Sequence, residues 1–511
     1  MMKKRFDLRG IFANNWLYLV MIILEIGGII PFFKLMADQS WVLWLIAYAV
    51  GYGTFIYILN QDEQASTKIP WLCIVLIMPA FGALFYGLFH EHKLKRKDRN
   101  HLASLRQRIA SQTSNLDRSR ELTDSEVAGK VRALRHDDPE TAAYQNTVSK
   151  YYPVGELMYE DMLTDLKSAK SFIFLEYFIV EPGVMWDGIL DILKEKVKAG
   201  VEVRMLYDDL CTFTTLPMNY DKSLREMGIQ CYRFSKFTPI ASTVHNNRDH
   251  RKIMVVDGLV GYTGGINMAD EYINHKHKYG HWKDGGVRLQ GDAVWGLSKL
   301  FLTNWDMNQK TFSDYQAYQP IQPQLPEAPG YYMPFGSGPK PAYLTTVGEN
   351  AFLNLINQAK HSVTVMTPYL IIDFELTDAL RNAAIRGVNV SIITPHIPDK
   401  KLIFLMTRSG YQPLLQAGVK VYEYVPGFVH MKMMLVDDEY GISGTINFDY
   451  RSLVHHYEDA VWMYQTPVLA DMKQDVEATI AQSQEVTTRN LKIGPFQRLI
   501  KCCIQLVAPL L

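Results

Sequence analysis

The sequence has no excess of charge of either sign, since its 511 residues carry 53 Lys and Arg against 53 Asp and Glu. Proteins that bind nucleic acid usually carry a basic excess, so the balance argues against that class of partner. Cysteine is scarce, and the five residues show neither the spacing of metal ligands nor the pattern of a disulfide framework: Cys73, Cys211, Cys231, Cys502 and Cys503. We therefore expect a reducing compartment and chemistry without a metal or a cofactor.

Long apolar runs are concentrated near the N-terminus, at residues 16–36, 41–59 and 71–89. Each run approaches the roughly 20 residues that an α-helix needs to cross a bilayer. The runs are too many and too long for a cleaved signal peptide. We predict that residues 1–92 form a transmembrane segment of two or three helices and place the protein in the cell membrane as a multi-pass protein.

Basic residues flank this segment on both sides, which leaves the number of crossings open. The denser cluster lies at residues 93–99, directly after the third run, and the positive-inside rule then places the rest of the chain in the cytoplasm. Within the polar linker 93–145, Leu102, Leu105 and Ile109 follow helical spacing. That helix either lies on the membrane or is a solvated linker. A second amphipathic pattern, in residues 491–511, allows membrane contact or docking on the protein's own core.

From residue 146 onward, short β-rich runs alternate with helical ones, which favours an α/β fold. The pattern occurs twice, because Ala169-Lys170 is echoed by Ala359-Lys360 and Gly200-Val201 by Gly387-Val388. We predict two similar lobes, residues 146–340 and 341–490, related by a pseudo-twofold axis with a cleft between them.

The strongest signal is a motif that both halves contain. His250, Lys252 and Asp257 have the spacing His-x-Lys-x4-Asp, and Asn267 follows in a Gly-x-x-Asn sequence. The second half repeats this arrangement at identical distances: His430, Lys432, Asp437 and Asn447. A single copy would occur by accident in roughly one chain in thirty, whereas two copies with matched asparagines are not a plausible accident.

These residue types suit chemistry on a phosphodiester. Alternation along a strand places the His and Lys of each motif on one face, so two such strands would surround one phosphate. The lysines would neutralise phosphate oxygens, and Asn267 and Asn447 would donate hydrogen bonds to them. One histidine would attack phosphorus and form a phosphohistidine, while the other protonates the leaving alkoxide. We count Asp257 and Asp437 with the catalytic motif, although their distance along the strand predicts a structural role at the following turn.

A nucleophilic imidazole needs an acidic partner on its other nitrogen to fix its tautomer. Asp284 lies 34 residues after His250, and Glu458 lies 28 residues after His430, at matching places in the repeat. We predict that these two carboxylates orient the histidines.

The paired motifs resemble those of the phospholipase D superfamily. The wider strings resemble bacterial cardiolipin synthases: HRKIMVVDGLVGYTGGINMADEY, HWKDGGVRLQG, VRMLYDDL and GTINFDYRS. The resemblance implies two phospholipase D-like lobes, no metal, and transfer of a phosphatidyl group between two phosphatidylglycerol molecules with release of glycerol. It favours His250 as the nucleophile. The chain departs from its relatives at residues 210–212, and at residues 455–457, where His-His-Tyr replaces a frequent Asn-Phe.

Two alternatives remain open from the sequence. The same site could use water and act as a phospholipase D-type hydrolase, or it could use a different alcohol as acceptor. A non-catalytic membrane scaffold is disfavoured, because a scaffold needs no pair of intact motifs. The partners predicted are phosphatidylglycerol and membrane lipid, with no nucleic acid, and the oligomeric state is not predicted.

Overall fold

The computed structural model describes residues 41–61, 63, 65–90, 96–113, 116–122, 124–235, 247–320, 323, 325, 329–340, 342–489 and 491. The first apolar run at 16–36 and nearly all of the predicted C-terminal helix therefore lie outside the described residues. Within them, the chain forms two compact units, a small one containing residues 41–90 and a large one containing everything from residue 96 onward.

The small unit contains three helices, α1 (Trp41–Leu59), α2 (Ala65–Ile77) and α3 (Pro79–Phe89). The predicted third span is divided between α2 and α3, because Pro79 cannot donate a backbone hydrogen bond and begins a new helix. Among the described residues, no helix combines the length and the apolar character needed to cross a bilayer. The predicted transmembrane helices are thus not confirmed.

Two helices open the large unit, α4 (Arg96–Thr113) and α5 (Ser125–Asp137). The predicted periodicity of α4 is confirmed, but Leu102, Leu105 and Ile109 are buried in the protein interior. The His101 ring contacts the Asp306 carbonyl at 3.1 Å, which fixes the helix to the catalytic part of the chain. The apolar face of α4 is therefore a packing face, and its predicted alternatives, a membrane-surface helix and a solvated linker, are both wrong.

The first lobe alternates strands and helices as predicted. Its elements are β1 (Thr147–Tyr152), α6 (Gly155–Ser168), β2 (Phe172–Tyr177), α7 (Val184–Lys198), β3 (Glu202–Asp208), α8 (Asp209–Thr212), α9 (Tyr220–Glu226), β4 (Gln230–Phe234), β5 (Lys252–Val256), β6 (Val260–Gly264), β7 (His281–Lys283), β8 (Gly286–Gly291) and α10 (Val294–Gln309). Seven of these strands form one sheet in the order β1-β8-β6-β5-β2-β3-β4.

The second lobe repeats this plan. Its elements are β9 (Tyr331–Ser337), α11 (Val347–Gln358), β10 (Ser362–Met366), β11 (Leu370–Ile371), α12 (Phe374–Ile385), β12 (Asn389–Pro395), α13 (Lys401–Gln416), β13 (Lys420–Tyr424), β14 (Gly427–Val429), β15 (Met433–Val436), β16 (Tyr440–Gly444), β17 (Phe448–Asp449), β18 (Glu458–Tyr464), α14 (Val468–Ala481) and β19 (Ser483–Val486). The sheet order is β19-β13-β12-β10-β15-β16-β18-β9.

The two sheet orders correspond strand by strand. Reading β1-β8-β6-β5-β2-β3-β4 against β9-β18-β16-β15-β10-β12-β13 matches seven positions, and β19 is added at one edge of the second sheet. The internal repeat is thereby confirmed. Because β9 pairs with β18, the second sheet begins at Tyr331, before the predicted boundary at residue 341.

The lobes pack against each other through the sheets. One cluster of buried side chains is continuous across both lobes and includes Leu289 and Phe301 of the first lobe with Leu435 and Met463 of the second. Its members are almost fully removed from solvent, and burial of that kind stabilises the pairing by the hydrophobic effect. The shared core holds the catalytic edges of the two sheets in a fixed relation.

Candidate active site

Each motif histidine lies just before a central strand of its lobe. His250 and Lys252 stand at the start of β5, and His430 and Lys432 stand just before β15. All four side chains are buried, with 1 to 7% of each residue exposed. Buried imidazoles and ammonium groups interact more strongly with a bound phosphate than exposed ones do, because water screens them less.

The two lobes exchange backbone hydrogen bonds at the histidines. The His250 amide donates to the Tyr457 carbonyl at 2.8 Å, and the His430 amide donates to the Lys283 carbonyl at 2.8 Å. In each case the acceptor residue belongs to the other lobe and directly precedes a predicted acid. The reciprocal pairing is what a pseudo-twofold axis between the lobes requires.

The acids therefore orient the histidine of the opposite lobe. His250 Nδ1 lies 2.8 Å from Glu458 Oε2, and His430 Nδ1 lies 2.5 Å from Asp284 Oδ2. The prediction that both acids orient histidines is confirmed in kind, but we counted each acid from the histidine of its own half. That pairing is wrong, because the segments that carry the acids cross over to the other lobe.

The pair of His250 and Glu458 holds an ionised carboxylate. Burial acts to raise the pKa of Glu458, but His250 and His456 outweigh burial and lower that pKa below its ordinary value. Burial lowers the pKa of His250 well below its ordinary range. The Thr445 hydroxyl also donates to Glu458. A neutral His250 that donates its Nδ1 proton to this carboxylate presents the Nε2 lone pair to a phosphorus atom.

In the pair of His430 and Asp284, the pKa of the acid is shifted in the opposite direction from that of Glu458. Burial raises the pKa of Asp284 to about 7 and lowers the pKa of Lys432 to about 7. Burial and the charge of Lys432 lower the pKa of His430 well below its ordinary range. Lys432 Nζ lies 2.6 Å from His430 Nδ1. Asp284 and Lys432 therefore change protonation state close to neutral pH, directly beside the His430 imidazole.

Lys252, the lysine of the first motif, donates from Nζ to the His250 carbonyl at 2.6 Å. Burial lowers its pKa to about 8. The Lys252 amide donates to Asp459 Oδ1 at 3.3 Å, which brings the first motif against the strand that begins at Glu458, and the charges of both lysines lower the pKa of His430. This arrangement matches the predicted cradle for one phosphate group.

The two asparagines differ from the prediction. Asn267 accepts from the Ile179 amide at 3.0 Å and donates to the Tyr272 hydroxyl at 2.6 Å. Its amide thus holds the loop after β2 and the ring of Tyr272, which lies 5.5 Å from the His430 ring. Asn447 is buried as well, and its side-chain oxygen has no hydrogen-bond partner among the described residues. The unpaired Asn447 atom is an acceptor, whereas the predicted role needs an N–H donor, so a hydrogen bond from either asparagine to a phosphate stays a prediction.

Asp257 and Asp437 directly follow their strands, and their carboxylates hold backbone turns. The Asp257 carboxylate accepts from the backbone amides of Lys170, Ser171 and Phe172 at 2.7 to 2.8 Å. Asp437 accepts from the three amides of residues 360–362 at 2.7 to 2.8 Å. Their place in the catalytic set is therefore wrong, and the structural role is confirmed. The Ala-Lys echo in the sequence is the segment that these carboxylates hold.

Two side chains beside His250 were not among the predicted site residues, although the sequence departs from its relatives at one of them. The His456 ring centroid lies 5.3 Å from that of His250, and Phe178 packs edge-on at 4.7 Å. His456 Nδ1 lies 3.5 Å from Glu458 Oε1. Strand alternation could have identified His456, because residues 456 and 458 share a face.

One group in the described part of the chain has the spacing of metal ligands: His250, His456 and Glu458, whose ligand atoms lie within 4.8 Å of one another. Glu458 is already engaged by His250 and Thr445. The same contacts are the ones that orient a nucleophilic histidine, so the geometry of the group is accounted for without a cation.

Comparisons with known proteins agree with this geometry. A family model described as cardiolipin synthase, phospholipase D-like domain, matches residues 162–281 and again residues 352–480. A model described as phospholipase D-nuclease N-terminal matches residues 52–89. An uncharacterized protein of Streptococcus mutans is 40% identical over 469 residues, covering 90% of this chain and 100% of the relative.

A cardiolipin synthase of Alkalihalophilus pseudofirmus is 31% identical over 481 residues, covering 93% of this chain and 95% of the relative. Among solved structures, a phosphatidylserine synthase of Haemophilus influenzae shares the fold, with a TM-score of 0.57 at 14% identity over 76% of this chain and 100% of that one. The repeated domain match and the nearly full-length relative show that the chain belongs to the cardiolipin synthase family with phospholipase D-like domains.

Proposed function

We propose that this protein is a cardiolipin synthase that transfers a phosphatidyl group from one phosphatidylglycerol to another and releases glycerol. The observation that carries the proposal is the reciprocal placement of two histidine–carboxylate pairs and two lysines around one volume. Family membership supports the choice of phosphatidylglycerol as donor and acceptor.

In the first half-reaction, His250 Nε2 attacks phosphorus and the new P–N bond replaces the bond from phosphorus to the glycerol oxygen. His430 gives its proton to that oxygen, and glycerol leaves. Lys252 and Lys432 neutralise the charge that develops on the phosphate oxygens. In the second half-reaction, His430 takes the proton from an acceptor hydroxyl, whose oxygen attacks phosphorus as the P–N bond breaks and His250 is restored.

The electrostatics of the two pairs support this division of labour. Glu458 is held ionised by the histidines beside it, so it suits a partner that keeps a nucleophilic imidazole in one tautomer. Asp284 and Lys432 titrate close to neutral pH, so they suit a residue that must both give and take a proton in each cycle.

A phospholipase D-type hydrolase would use the same residues with water as acceptor. Incubating the purified protein with phosphatidylglycerol and analysing the lipids separates the two activities. Cardiolipin with glycerol is the result we expect. Phosphatidic acid with glycerol and no cardiolipin would replace transfer by hydrolysis, and a second alcohol in the product would identify a different acceptor.

We also propose that the small helical unit anchors the protein in the cell membrane, with the catalytic lobes in the cytoplasm. Many of its apolar side chains are exposed, including Leu45 at 63%, Ile56 at 59% and Ile77 at 77%. Exposed apolar surface of that extent is costly in water and favourable in lipid. Reporter enzymes fused at residues 5 and 100 test the anchor. A reporter at residue 100 outside the cytoplasm would contradict the proposed orientation.

A further inference from the structure

The parallel strands of each lobe end at the edge that carries the catalytic residues. In the first lobe, Tyr177 at the end of β2 pairs with Lys252 at the start of β5, and β3 runs parallel to β2. In the second lobe, Met366 at the end of β10 pairs with Met433 at the start of β15, and β12 runs parallel to β10. The segments that follow β2, β3, β10 and β12 therefore surround the mouth of the cleft.

Exposed apolar side chains occupy equivalent positions in these segments. Val184 is the first residue of α7 after β2 and is 52% exposed, and Phe374 is the first residue of α12 after β10 and is 72% exposed. Exposure of a large apolar side chain to water is unfavourable. The nearby residues Met185 and Leu376 of the same helices are fully buried. Both lobes thus direct an apolar side chain outward at the same point of the repeat.

The segments after β3 and β12 continue this surface. Met218 is 71% exposed in the first lobe, and Ile397 and Leu402 are 36% and 52% exposed in the second. We call Val184, Met218, Phe374, Ile397 and Leu402 the apolar rim. Three members come from the second lobe and two from the first, so the rim borders the cleft on both sides.

Exposed lysines accompany the apolar rim. Lys276 forms an ion pair at 3.0 Å with Glu181, which lies in the segment between β2 and α7, and Lys278 is exposed beside it. In the second lobe, Lys400 and Lys401 are exposed next to Leu402. Lys400 Nζ lies 5.9 Å from the centroid of the Tyr369 ring, and Phe428 neighbours both that ring and His430, at centroid distances of 6.3 and 5.9 Å. Apolar side chains mixed with lysines suit a surface of anionic lipid rather than the surface of an acidic protein.

We propose that the apolar rim docks into the headgroup layer of an anionic phospholipid bilayer, so that the cleft opens directly onto the lipid surface. The inference rests on the proposed function, because a lipid substrate has to reach buried histidines while its acyl chains stay in an apolar environment. Docking both sides of the cleft onto the bilayer lets a headgroup enter without extraction of the whole lipid. A protein partner at the same surface is the competing occupant.

The chain offers a matched control for this proposal. Met218 and Met227 flank helix α9, and Phe374 and Ile385 are the first and last residues of helix α12. Met227 and Ile385 are also exposed, at 39% and 66%, but they lie at the opposite ends of these helices, away from the catalytic edge. The test compares two full-length double variants: the rim variant, Met218→Ser/Phe374→Ser, and the control variant, Met227→Ser/Ile385→Ser.

With phosphatidylglycerol vesicles, the rim variant should lose about tenfold or more in transfer rate, because both side chains lose their apolar environment. With a short-chain phosphatidylglycerol dissolved as monomers, its rate should stay within about twofold of the unchanged protein. The control variant should match the unchanged protein with both substrates. Equal losses in the two variants, no loss on vesicles, or an equal loss on both substrates in the rim variant would each overturn the docking proposal.

Hydrogen exchange gives a readout that does not depend on transfer. In nanodiscs containing phosphatidylglycerol, amides at 214–219 and 396–402 should exchange more slowly than in nanodiscs of neutral phosphatidylcholine, while amides at 225–229 and 385–388 should not change. This result with no cardiolipin formed would uphold docking and contradict the proposed function. Cardiolipin formation without protection at the rim would leave the function intact and overturn docking, with a protein partner then the better occupant.

Discussion

The two halves of the catalytic centre share their backbone arrangement and differ in their proton affinities. In both, a histidine amide bonds to the carbonyl that precedes an acid of the other lobe, and Nδ1 contacts that acid. Yet the pKa of Glu458 is lowered, whereas burial raises the pKa of Asp284 to about 7. A duplicated geometry can therefore supply two chemical roles, because the side chains around each pair tune it separately.

His250 is the main partner that lowers the pKa of Glu458, and the two acids also differ in their other neighbours. Glu458 receives a hydrogen bond from the Thr445 hydroxyl and has His456 beside it. The residue equivalent to Thr445 is Gly265, and a Cβ there would lie 2.0 Å from Asp284 Oδ1. Asp284 therefore has no side-chain donor from this position, although it accepts from the Gly285 amide. The step from Gly-Gly to Gly-Thr in the two motifs therefore gives Glu458, but not Asp284, a hydroxyl donor.

The largest effects are expected from the histidines. His250→Ala and His430→Ala should each lower transfer from phosphatidylglycerol by about 10³-fold or more, because one loses the nucleophile and the other the acid. A donor lipid whose leaving group is nitrophenolate needs no proton to depart. With that donor, His430→Ala should still release nitrophenol in a single turnover, and His250→Ala should not.

Circular dichroism and thermal unfolding of both variants serve as the control for folding. If His250→Ala released nitrophenol and His430→Ala did not, His430 would be the nucleophile and His250 the acid. Full activity of either variant with phosphatidylglycerol would remove the two-histidine mechanism altogether.

Substitution of the two acids should give the next largest losses in transfer rate, and the two losses should differ. Glu458→Gln replaces an ionised acceptor by an amide that can donate towards Nδ1, which favours the wrong tautomer of His250, so transfer should fall by about 10³-fold. Asp284→Asn should cost about 10 to 100-fold, since His430 keeps Lys432 as a second contact. Steady-state rates at several pH values test this order. A larger loss for Asp284→Asn would contradict the assignment.

The two lysines should determine how kcat/KM falls on the alkaline side of its pH profile. Burial lowers the pKa of Lys432 to about 7 and that of Lys252 to about 8. Since a lowered pKa means that the ammonium charge is lost at lower pH than usual, kcat/KM should fall as pH rises through 7 to 8. Lys432→Arg keeps its charge, so its rate should be lower at neutral pH but its decline should move to higher pH. An unchanged decline would assign it to another group.

The residues that support Glu458 should have the smallest effects. Thr445→Ala removes a hydrogen bond to a charged acceptor and should cost about tenfold in transfer. His456→Asn keeps a side-chain donor but cannot carry charge, so neutral-pH transfer should stay within about threefold. Because a charged His456 lowers the pKa of His250, the acid side of the profile should move to higher pH in this variant. A shift to lower pH would contradict that role.

The sequence was enough to predict that paired histidines, lysines and acids meet, but not how the two lobes share them. Identical spacing in the two motifs was enough to predict the paired histidines and lysines, and the Ala-Lys echo marked the turns held by Asp257 and Asp437. The crossing of Asp284 to His430 was not predictable, because spacing within a chain carries no information about strand pairing between lobes. The occupied amide of Asn267 depends on Tyr272, which approaches only in the folded state.

In the N-terminal part, the sequence predicted the helices but not where they break or what their apolar faces contact. Apolar composition predicted helices at 41–59 and 71–89, and helices are present there, but the break before Pro79 divides the second stretch. The pattern of α4 predicted an amphipathic helix, although hydropathy alone could not distinguish a lipid-facing surface from a face buried in protein. Leu105 is fully buried and decides for the latter.

His250 is the residue that we propose carries the phosphatidyl group. The most direct measurement is rapid acid-free quenching of the enzyme during turnover of labelled phosphatidylglycerol, followed by digestion under alkaline conditions and mass spectrometry of the phosphorylated peptide. We expect the modification on His250 in the unchanged protein, and its accumulation in His430→Ala with the nitrophenyl donor. A phosphatidyl group found on His430, or none on either histidine during active turnover, would contradict it.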